Sequence, residues 1–484
     1  MNQLKMILAA SWILLALGCA SHQPLANEYG DPSLARRIHS EIIKSGLTPN
    51  MGVRVVSLKT GKTVYAYNAD RLFMPASNNK IFTAATALHF LGPQFTFITR
   101  VYTDSNSVNS GTGQLGHLIL RGAGDPDLTV DQLEALASRV AERWKQIDTL
   151  VLDNTALDTV RLGNGWMWDE GPWWYAAQID PLTLNDNCID FTVTPGDSGT
   201  APQVAYFPET DYITFTNRGI TVTDTVDFKT WEIDRDWANN GNHFELTGEI
   251  LTTAKKRTVY RNVDNPTRFT GQVFRELLSK NGVQVGPVTV VDSVSPGDVA
   301  VDSIVSSPLR ESVINLLKSS DNLTAELLIK TVGHKVFGGK GTWKKGLMAE
   351  KTFLFDSVGV DTGTIRIVDG SGVSRYNLTS AEALTLVLAY VYSDFTLNAE
   401  FMAALPTGGW DGTLENRMQD PLFDRRIRAK TGTLSGATAL SGFAFPRKGE
   451  PLAFSILMNG YVGSSHPYKF LEDRICYQLI KNAR

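Results

Sequence analysis

The texture of this chain changes twice along its length, and that change restricts its fold more than any single motif. Near the N-terminal end, Val53 to Leu58 and Thr63 to Tyr67 flank Lys59-Thr60-Gly61-Lys62, which predicts a β-hairpin with Gly61 supplying the turn conformation. Pro75 then precedes a helix pattern over Ala76 to Leu91, with Ile81, Ala84, Ala85, Leu88 and Leu91 on one face and Gly92-Pro93 as its stop. From about residue 100 to 297 the text turns to Thr, Asp, Gly and Val, with short alternating runs such as His117 to Leu120. Helical patterns return after Ser307-Pro308, through Asn315 to Lys318 and Leu323 to Val332. Two apolar strands, Ala437 to Phe445 and Leu452 to Asn459, and a helix near Tyr468 to Lys481 close the chain. A β-leaning block between two halves of an α/β unit is the pattern of one domain inserted into another.

Bulk properties agree with several packed domains. At 484 residues the chain exceeds one core, so two or three domains are expected. Apolar residues at 43% and charged residues at 20% argue against long disorder. A net charge of −4, with no block of like charges, gives nucleic acid no electrostatic footing.

The first residues read as an address. Lys5 precedes the apolar stretch Met6 to Gly18, too short to span a bilayer and the right length for an export signal. Around it, Leu15-Ala16-Leu17-Gly18-Cys19-Ala20 resembles a bacterial lipobox, which would make residues 1–19 the signal and Cys19 a lipidated anchor to the membrane. Cleavage after Ala20 is the alternative, and both readings export the protein. Cys188 and Cys476 then remain, expected as isolated buried thiols.

Three strings carry chemistry: Ser77-Asn78-Asn79-Lys80, Ser320-Asp321-Asn322 and Lys430-Thr431-Gly432-Thr433. A serine hydroxyl needs a neighbouring base at neutral pH. On a helix Ser77 and Lys80 share a face, and Lys80 can be that base if burial and a second cation, Lys430, lower its pKa. The first helical turn adds the positive end of the helix dipole for a developing oxyanion. Ser320 would pass a proton to a leaving amine, and Asn322 would fix Lys80 and the substrate amide. The segment Lys430 to Thr433 should lie on a sheet edge, where an extended peptide can pair and Lys430, Thr431 and Thr433 hold its carboxylate. The N–H groups of Ser77 and Thr433 would form the oxyanion hole. Which residue acts as the acylation base stays open.

Singly the strings are weak. S-x-N starts at Ser77, Ser107, Ser279 and Ser320, and K-T-G recurs at Lys59 as a hairpin turn. Their order and their placement on helix and strand carry the inference. Neither a G-x-S-x-G elbow nor an H-E-x-x-H zinc motif occurs, and neither metal nor cofactor is called for. His89 and His334 read as structural residues in helices.

The set resembles the S-x-x-K, S-D-N and K-T-G signature of penicillin-recognising serine enzymes. Ser320 follows Ser77 by 243 residues (320 − 77), and this gap makes the chain similar to class C low-molecular-mass penicillin-binding proteins, the D-alanyl-D-alanine carboxypeptidase/endopeptidases of the penicillin-binding protein 4 type. Further matching text is Gly124-Asp125-Pro126-Asp127-Leu128-Thr129, Val368 to Arg375, and Asp411-Gly412-Thr413-Leu414. The resemblance implies an α/β (α+β) fold, a transpeptidase/β-lactamase-like domain of antiparallel sheet and helices interrupted by a mainly β insertion. The peptidase domain would take residues 27–100 and 298–484, one inserted domain 101–157 and 221–297, and a second inserted domain 158–220.

The resemblance also implies an exported periplasmic or cell-envelope serine D,D-peptidase. It would release terminal D-Ala and open D-Ala–diaminopimelate cross-links of peptidoglycan stem peptides through a Ser77 acyl-enzyme, with β-lactams as covalent inhibitors. Arg375 and Asp153 would bind the diaminopimelate side chain, a loop-bracing ion pair being the other reading of Arg375. The alternatives are a peptidoglycan- or β-lactam-binding surface protein with little turnover, and a β-lactamase. Class A β-lactamases have a far shorter gap and an E-x-x-L-N loop that this sequence lacks. Trp166, Trp168, Trp173 and Trp174, gathered between Gly163 and Tyr175, read as core packing of the insertion in preference to glycan contact.

Overall fold

The computed structural model describes residues 32–224, 226–291 and 297–481. The expected signal over 1–19 and the lipidation at Cys19 lie outside the described residues. Among those described, no helix is long and apolar enough to cross a membrane.

A five-stranded antiparallel sheet organises the two ends of the chain. Its order is Ile427–Leu434, Ala437–Ala444, Leu452–Asn459, Asn50–Ser57, Thr63–Tyr67. The strands Ala437–Ala444 and Leu452–Asn459 are buried at every position, because both faces of the sheet are covered. Their side chains alternate between two cores, as the period of a strand requires. Ala439, Phe443, Ala453 and Leu457 join the core built by the helices Lys80–Leu91, Leu309–Lys318, Asn322–Phe337 and Ala381–Ser393. Leu440, Phe454, Ile456 and Met458 join the core of the terminal helices Pro32–Ser45 and His466–Lys481. Each fully buried Leu or Phe contributes roughly 2 kcal/mol, so the double layer stabilises the sheet from both sides. The Lys59 copy of K-T-G forms the expected hairpin turn, with Gly61 at φ +70°.

The insertion leaves and re-enters this domain at one place. Ile98–Asp104 pairs antiparallel with Asp298–Val305, and beside them Ser306 N donates to Phe97 O at 2.9 Å while Phe97 N donates to Ser306 Oγ at 2.9 Å. Residues 298–305 therefore belong to the sheet of the insertion and not, as the sequence boundary had it, to the peptidase domain. Leu118–Arg121 pairs antiparallel with Ile98–Asp104, and Leu150–Asp153 and Val288–Val291 follow it in parallel to complete that sheet.

Two helices of the insertion pack together in its core. They are Val130–Arg143, capped by Thr129 and Gln132, and Pro266–Lys280, capped by Asn265. A mainly β reading misses them, although Leu133, Leu136, Ala137 and Val140 follow helical spacing and are buried. The expected division at residue 220 also fails. Cys188–Thr194 pairs with Arg257–Asn262, and Ile220–Val222 with Glu249–Leu251, so the smaller β body runs across that point. Strand partners so distant in sequence leave no local mark. One apolar core, including Val101, Phe191, Phe244 and Ile304, runs through the insertion. A small cluster of Leu157, Ile179, Leu323 and Leu327 fastens it to the peptidase domain. Cys188 and Cys476 are both free and buried.

Candidate active site

Ser77 lies in a single 3-10 turn, Ala76–Asn79, that runs directly into the helix Lys80–Leu91. The turn is under strain. Ala76 has φ +48°, a left-handed conformation that costs a residue with a Cβ about 1–3 kcal/mol. Two glycines let neighbouring segments press against it. A Cβ on Gly372 (φ +85°) would stand 1.9 Å from Ala76 O, and one on Gly432 would stand 2.8 Å from Pro75 O. The asparagines between Ser77 and Lys80 tie these segments in place: Asn78 Nδ2 donates to Lys430 O at 3.2 Å and Asn79 Nδ2 to Asp369 O at 2.8 Å.

Lys80 is wholly buried, and its Nζ reaches Ser77 Oγ at 3.1 Å, Asn322 Oδ1 at 2.5 Å and Ser371 O at 2.8 Å. Burial lowers its pKa to about 8, against the opposing pull of Asp321, Glu326 and Asp369. The second cation acts in the other direction from that expected. Lys430, also buried, is driven well below the ordinary lysine range by its own burial and then by the charge of Lys80. Lys430 Nζ donates to Thr431 O at 2.9 Å.

Ser320 joins the helices Leu309–Lys318 and Asn322–Phe337 at φ +64°, a second strained residue beside the serine. Asp321 caps the following helix, accepting from Thr324 N at 2.6 Å. Asn322 is engaged at both ends of its amide. Its Nδ2 donates to Tyr175 O, in the insertion, at 2.7 Å, so one N–H expected to face a substrate amide is given to the protein.

The loop from Asp369 to Arg375 is held by two buried carboxylates. Asp369 accepts from Gly372 N (2.9 Å), Ser374 N (2.7 Å), Asn377 Nδ2 (2.7 Å) and Trp166 Nε1 (3.1 Å). Glu326 accepts from Gly370 N (2.8 Å), Ser371 N (2.7 Å) and Trp343 Nε1 (2.6 Å). Burial raises both, Glu326 to about 7. Together they aim Ser371 O at Lys80. Sequence reasoning missed Glu326, because a glutamate inside a helix pattern gives no sign that it faces inward.

The strand Ile427–Leu434 lies at the sheet edge, as expected, and Thr431 Oγ1 donates to Thr413 Oγ1 at 2.8 Å. A cleft of about 520 Å³ opens over it, lined by Ser77, Ser320, Asn322, Arg375 and Thr433, and on the insertion side by Asp169, Glu170, Trp174 and Tyr175. Arg375 donates to the carbonyl of Ser435 at 3.1 Å. Burial and Asp169 raise the Glu170 carboxyl, and Arg375 opposes them.

Asp153 is the candidate that the structure separates from the others. It is fully buried at the end of the strand Leu150–Asp153, where it accepts from Thr155 N at 2.8 Å and Thr155 Oγ1 at 2.6 Å and pairs with Arg121 at 3.4 Å. A side chain consumed by its own turn does not reach the cleft; Asp169 and Glu170 are the acidic residues that do. Core packing holds only in part for the tryptophan cluster: Trp166, half-buried, packs against Leu157, Ile179, Leu323 and Leu327. None of its four members is buried, and Trp168 is 81% exposed.

An amine of depressed pKa at 3.1 Å from a serine hydroxyl can take its proton, and the edge strand beside it can receive an extended peptide. Comparison with known proteins points the same way. Residues 34–473 match the D-Ala-D-Ala carboxypeptidase 3 (S13) family. The chain is 35% identical over 433 residues to a D-alanyl-D-alanine carboxypeptidase of Actinomadura sp. (strain R39), a match covering 85% of this chain and 78% of that one. It is 27% identical over 421 residues to the D-alanyl-D-alanine carboxypeptidase DacB of Haemophilus influenzae, covering 85% and 86%. The crystal structure of penicillin binding protein 4 from Haemophilus influenzae matches the fold with a TM-score of 0.81 at 26% identity, over 92% of this chain and 99% of that one.

Proposed function

Because the chain belongs to the D-Ala-D-Ala carboxypeptidase 3 (S13) family and is a serine-type D-Ala-D-Ala carboxypeptidase of the penicillin-binding protein 4 type, we propose that Ser77 is the nucleophile and Lys80 the base that activates it. The observation that carries this reading is the 3.1 Å contact between Lys80 Nζ and Ser77 Oγ, made by a buried lysine whose pKa is about 8. Neutral Lys80 takes the Ser77 proton as Oγ attacks the carbonyl of the penultimate D-Ala. The N–H groups of Ser77 and Thr433 receive the oxyanion. Ser320 relays a proton to the leaving amine, D-Ala departs, and water releases the acyl-enzyme.

Lys430, Thr431 and Thr433 hold the terminal carboxylate, and Gly432 keeps the edge strand close to the Ser77 turn. The side chain of the third stem residue lies between Arg375, which would take its carboxylate, and Asp169 with Glu170, which would take its amine. With a diaminopimelate amine as leaving group the same steps open a cross-link. A β-lactam enters the same path and stays as the acyl-enzyme. Export to the cell envelope, with Cys19 as a lipid anchor, completes the proposal.

Purified protein given a pentapeptide ending in D-Ala-D-Ala should release free D-Ala, and Ser77→Ala should release none and lose labelling by a fluorescent penicillin. Labelling that persists in Ser77→Ala would remove Ser77 from its role. Penicillin retention without D-Ala release would indicate a binding protein, and rapid penicillin turnover a β-lactamase. Muropeptides released from purified sacculi, identified by mass, test the endopeptidase step.

A further inference from the structure

The tryptophan-rich segment lies at the surface in part, with Trp168 and Trp174 exposed, and the surface it makes is hollow. A second cleft of about 440 Å³ opens beside the catalytic one, and Met167 and Glu170 line both. Its wall is aromatic. Trp168 and Trp237 meet at 5.3 Å between ring centroids, with planes tilted by 47°, and Trp166 continues the wall. The approach is built in by Gly171 (φ +44°), where a Cβ would stand 2.9 Å from the Trp237 ring.

The base of this cleft is polar and incompletely used. Arg235 is 7% exposed and Asn262 2%. Arg235 Nη1 donates to Gly241 O at 2.8 Å, yet its Nε has no partner. Asn262 Nδ2 donates to Gly171 O at 3.1 Å and Trp173 O at 2.8 Å, yet its Oδ1 has none. Buried polar atoms are normally paired, so a donor and an acceptor without partners beneath an aromatic wall set the floor of this cleft apart from ordinary packed interior.

We propose that this cleft binds an N-acetylated sugar of the glycan strand that carries the stem peptide, an inference that rests on the D,D-peptidase function proposed above. A pyranose ring presents an apolar C–H face that lies on an indole, while its acetamido and hydroxyl groups turn to polar side chains. The acetamido and hydroxyl groups meet the polar lining of the cleft, which includes Gln178, Arg235 and Asn240. Glu170, which lines this cleft as well as the catalytic one, disfavours a phosphorylated or otherwise anionic ligand. Continuity through Met167 and Glu170 fits a substrate whose peptide lies over Ser77 while its sugar reaches the neighbouring cleft; the few residues between them span about 3.3 Å each.

The test compares a free pentapeptide with the same pentapeptide on an N-acetylglucosaminyl-N-acetylmuramoyl disaccharide. Wild-type protein should show a kcat/KM about tenfold higher for the disaccharide-bearing substrate, expressed in KM. The double variant Trp168→Ala, Trp237→Ala should lose that preference while keeping its rate on the free peptide and its penicillin labelling. Equal rates in the wild type, or a preference that survives in the double variant, would overturn the proposal. Calorimetric titration of Ser77→Ala with chitotriose reads the cleft without catalysis. Saturable binding that the two tryptophan substitutions abolish is expected, and no binding overturns the proposal. If neither peptide is cleaved, the peptidase reading fails, and this titration still decides for or against the sugar site.

Discussion

The carbonyl oxygen of Tyr175 accepts a hydrogen bond of 2.7 Å from the side-chain amide of Asn322. The other end of that amide accepts from Lys80 Nζ at 2.5 Å, so a residue of the insertion fixes which way the amide faces the lysine. The insertion is thus one residue away from the proton path.

Asn322→Asp should expose this dependence. The new carboxylate would meet the Tyr175 carbonyl with an acceptor in place of a donor, and its charge would raise the pKa of Lys80. Acylation by a fluorescent penicillin at pH 7 is expected to slow by about 100-fold, near 2.7 kcal/mol. The pH at which the rate levels off should rise. An unchanged pH profile would mean that Asn322 does not govern Lys80.

The pH dependence of the wild type follows from the same lysine. In the proposed mechanism only neutral Lys80 accepts the Ser77 proton, and with a pKa of about 8 it is roughly one-tenth neutral at pH 7. The acylation rate should therefore rise about tenfold per unit from pH 6 to 7 and level off above about pH 8. Asp321, Glu326 and Asp369 raise this pKa against the larger effect of burial. Glu326, raised to about 7, is charged mainly above that pH, so Glu326→Gln removes its charge where Lys80 titrates and should lower the pH at which the rate levels off. Stopped-flow acylation across the range measures both.

Gly372→Ala and Gly61→Ala form a contrast between two glycines of positive φ. At Gly372 a Cβ would collide with Ala76 O, whereas at Gly61 it would meet nothing within 4 Å. Gly61→Ala should cost about 1 kcal/mol of stability with no change in penicillin labelling. Gly372→Ala should displace the loop whose Ser371 carbonyl holds Lys80, and labelling should fall by about 100-fold or more. Urea denaturation and labelling of both variants separate strain from loss of the site.

Arg417 braces the far side of the sheet, donating to Glu472 at 2.9 Å and to Asp473 at 2.5 Å. Burial raises the fully buried Glu472 carboxyl to about 7 even with Arg417 pulling it down. Arg417→Ala leaves that carboxylate unpaired and should cost about 3–5 kcal/mol at pH 8. The sign with pH is fixed. A carboxyl whose folded pKa lies above its unfolded value is penalised once pH exceeds the unfolded value, so the loss should shrink towards pH 5 as Glu472 takes up a proton. Thermal denaturation at the two pH values measures the difference.

The sequence made the site more legible than the architecture around it. Ser77 to Lys80, Ser320 to Asn322 and Lys430 to Thr433 are short, local strings, and the elements that hold them are strongly patterned. The helix after Pro75 and the strands near Ala437 and Leu452 stand where their apolar periods put them. What escaped is what depends on distant partners. The pairing of Asp298–Val305 with Ile98–Asp104 is invisible in either segment alone, and so is the inward face of Glu326. Asp153 has a side chain suited to a ligand, but Thr155, two residues on, claims it. A run of tryptophans suggests a core by composition, yet only packing tells an aromatic wall from an aromatic interior.

The pairing of the first and last strands of the insertion also bears on how the chain folds. Phe97 and Ser306 are about two hundred residues apart along the backbone, and bringing such distant segments together from a random coil carries a loop-closure cost that slows folding. Once the insertion has formed, that long excursion behaves as a short staple, and the two halves of the peptidase domain begin as neighbours. Assembly should therefore run from the middle outwards. Pulse-labelled hydrogen exchange would find Ile98–Asp104 and Asp298–Val305 protected before Leu452–Asn459 pairs with Asn50–Ser57.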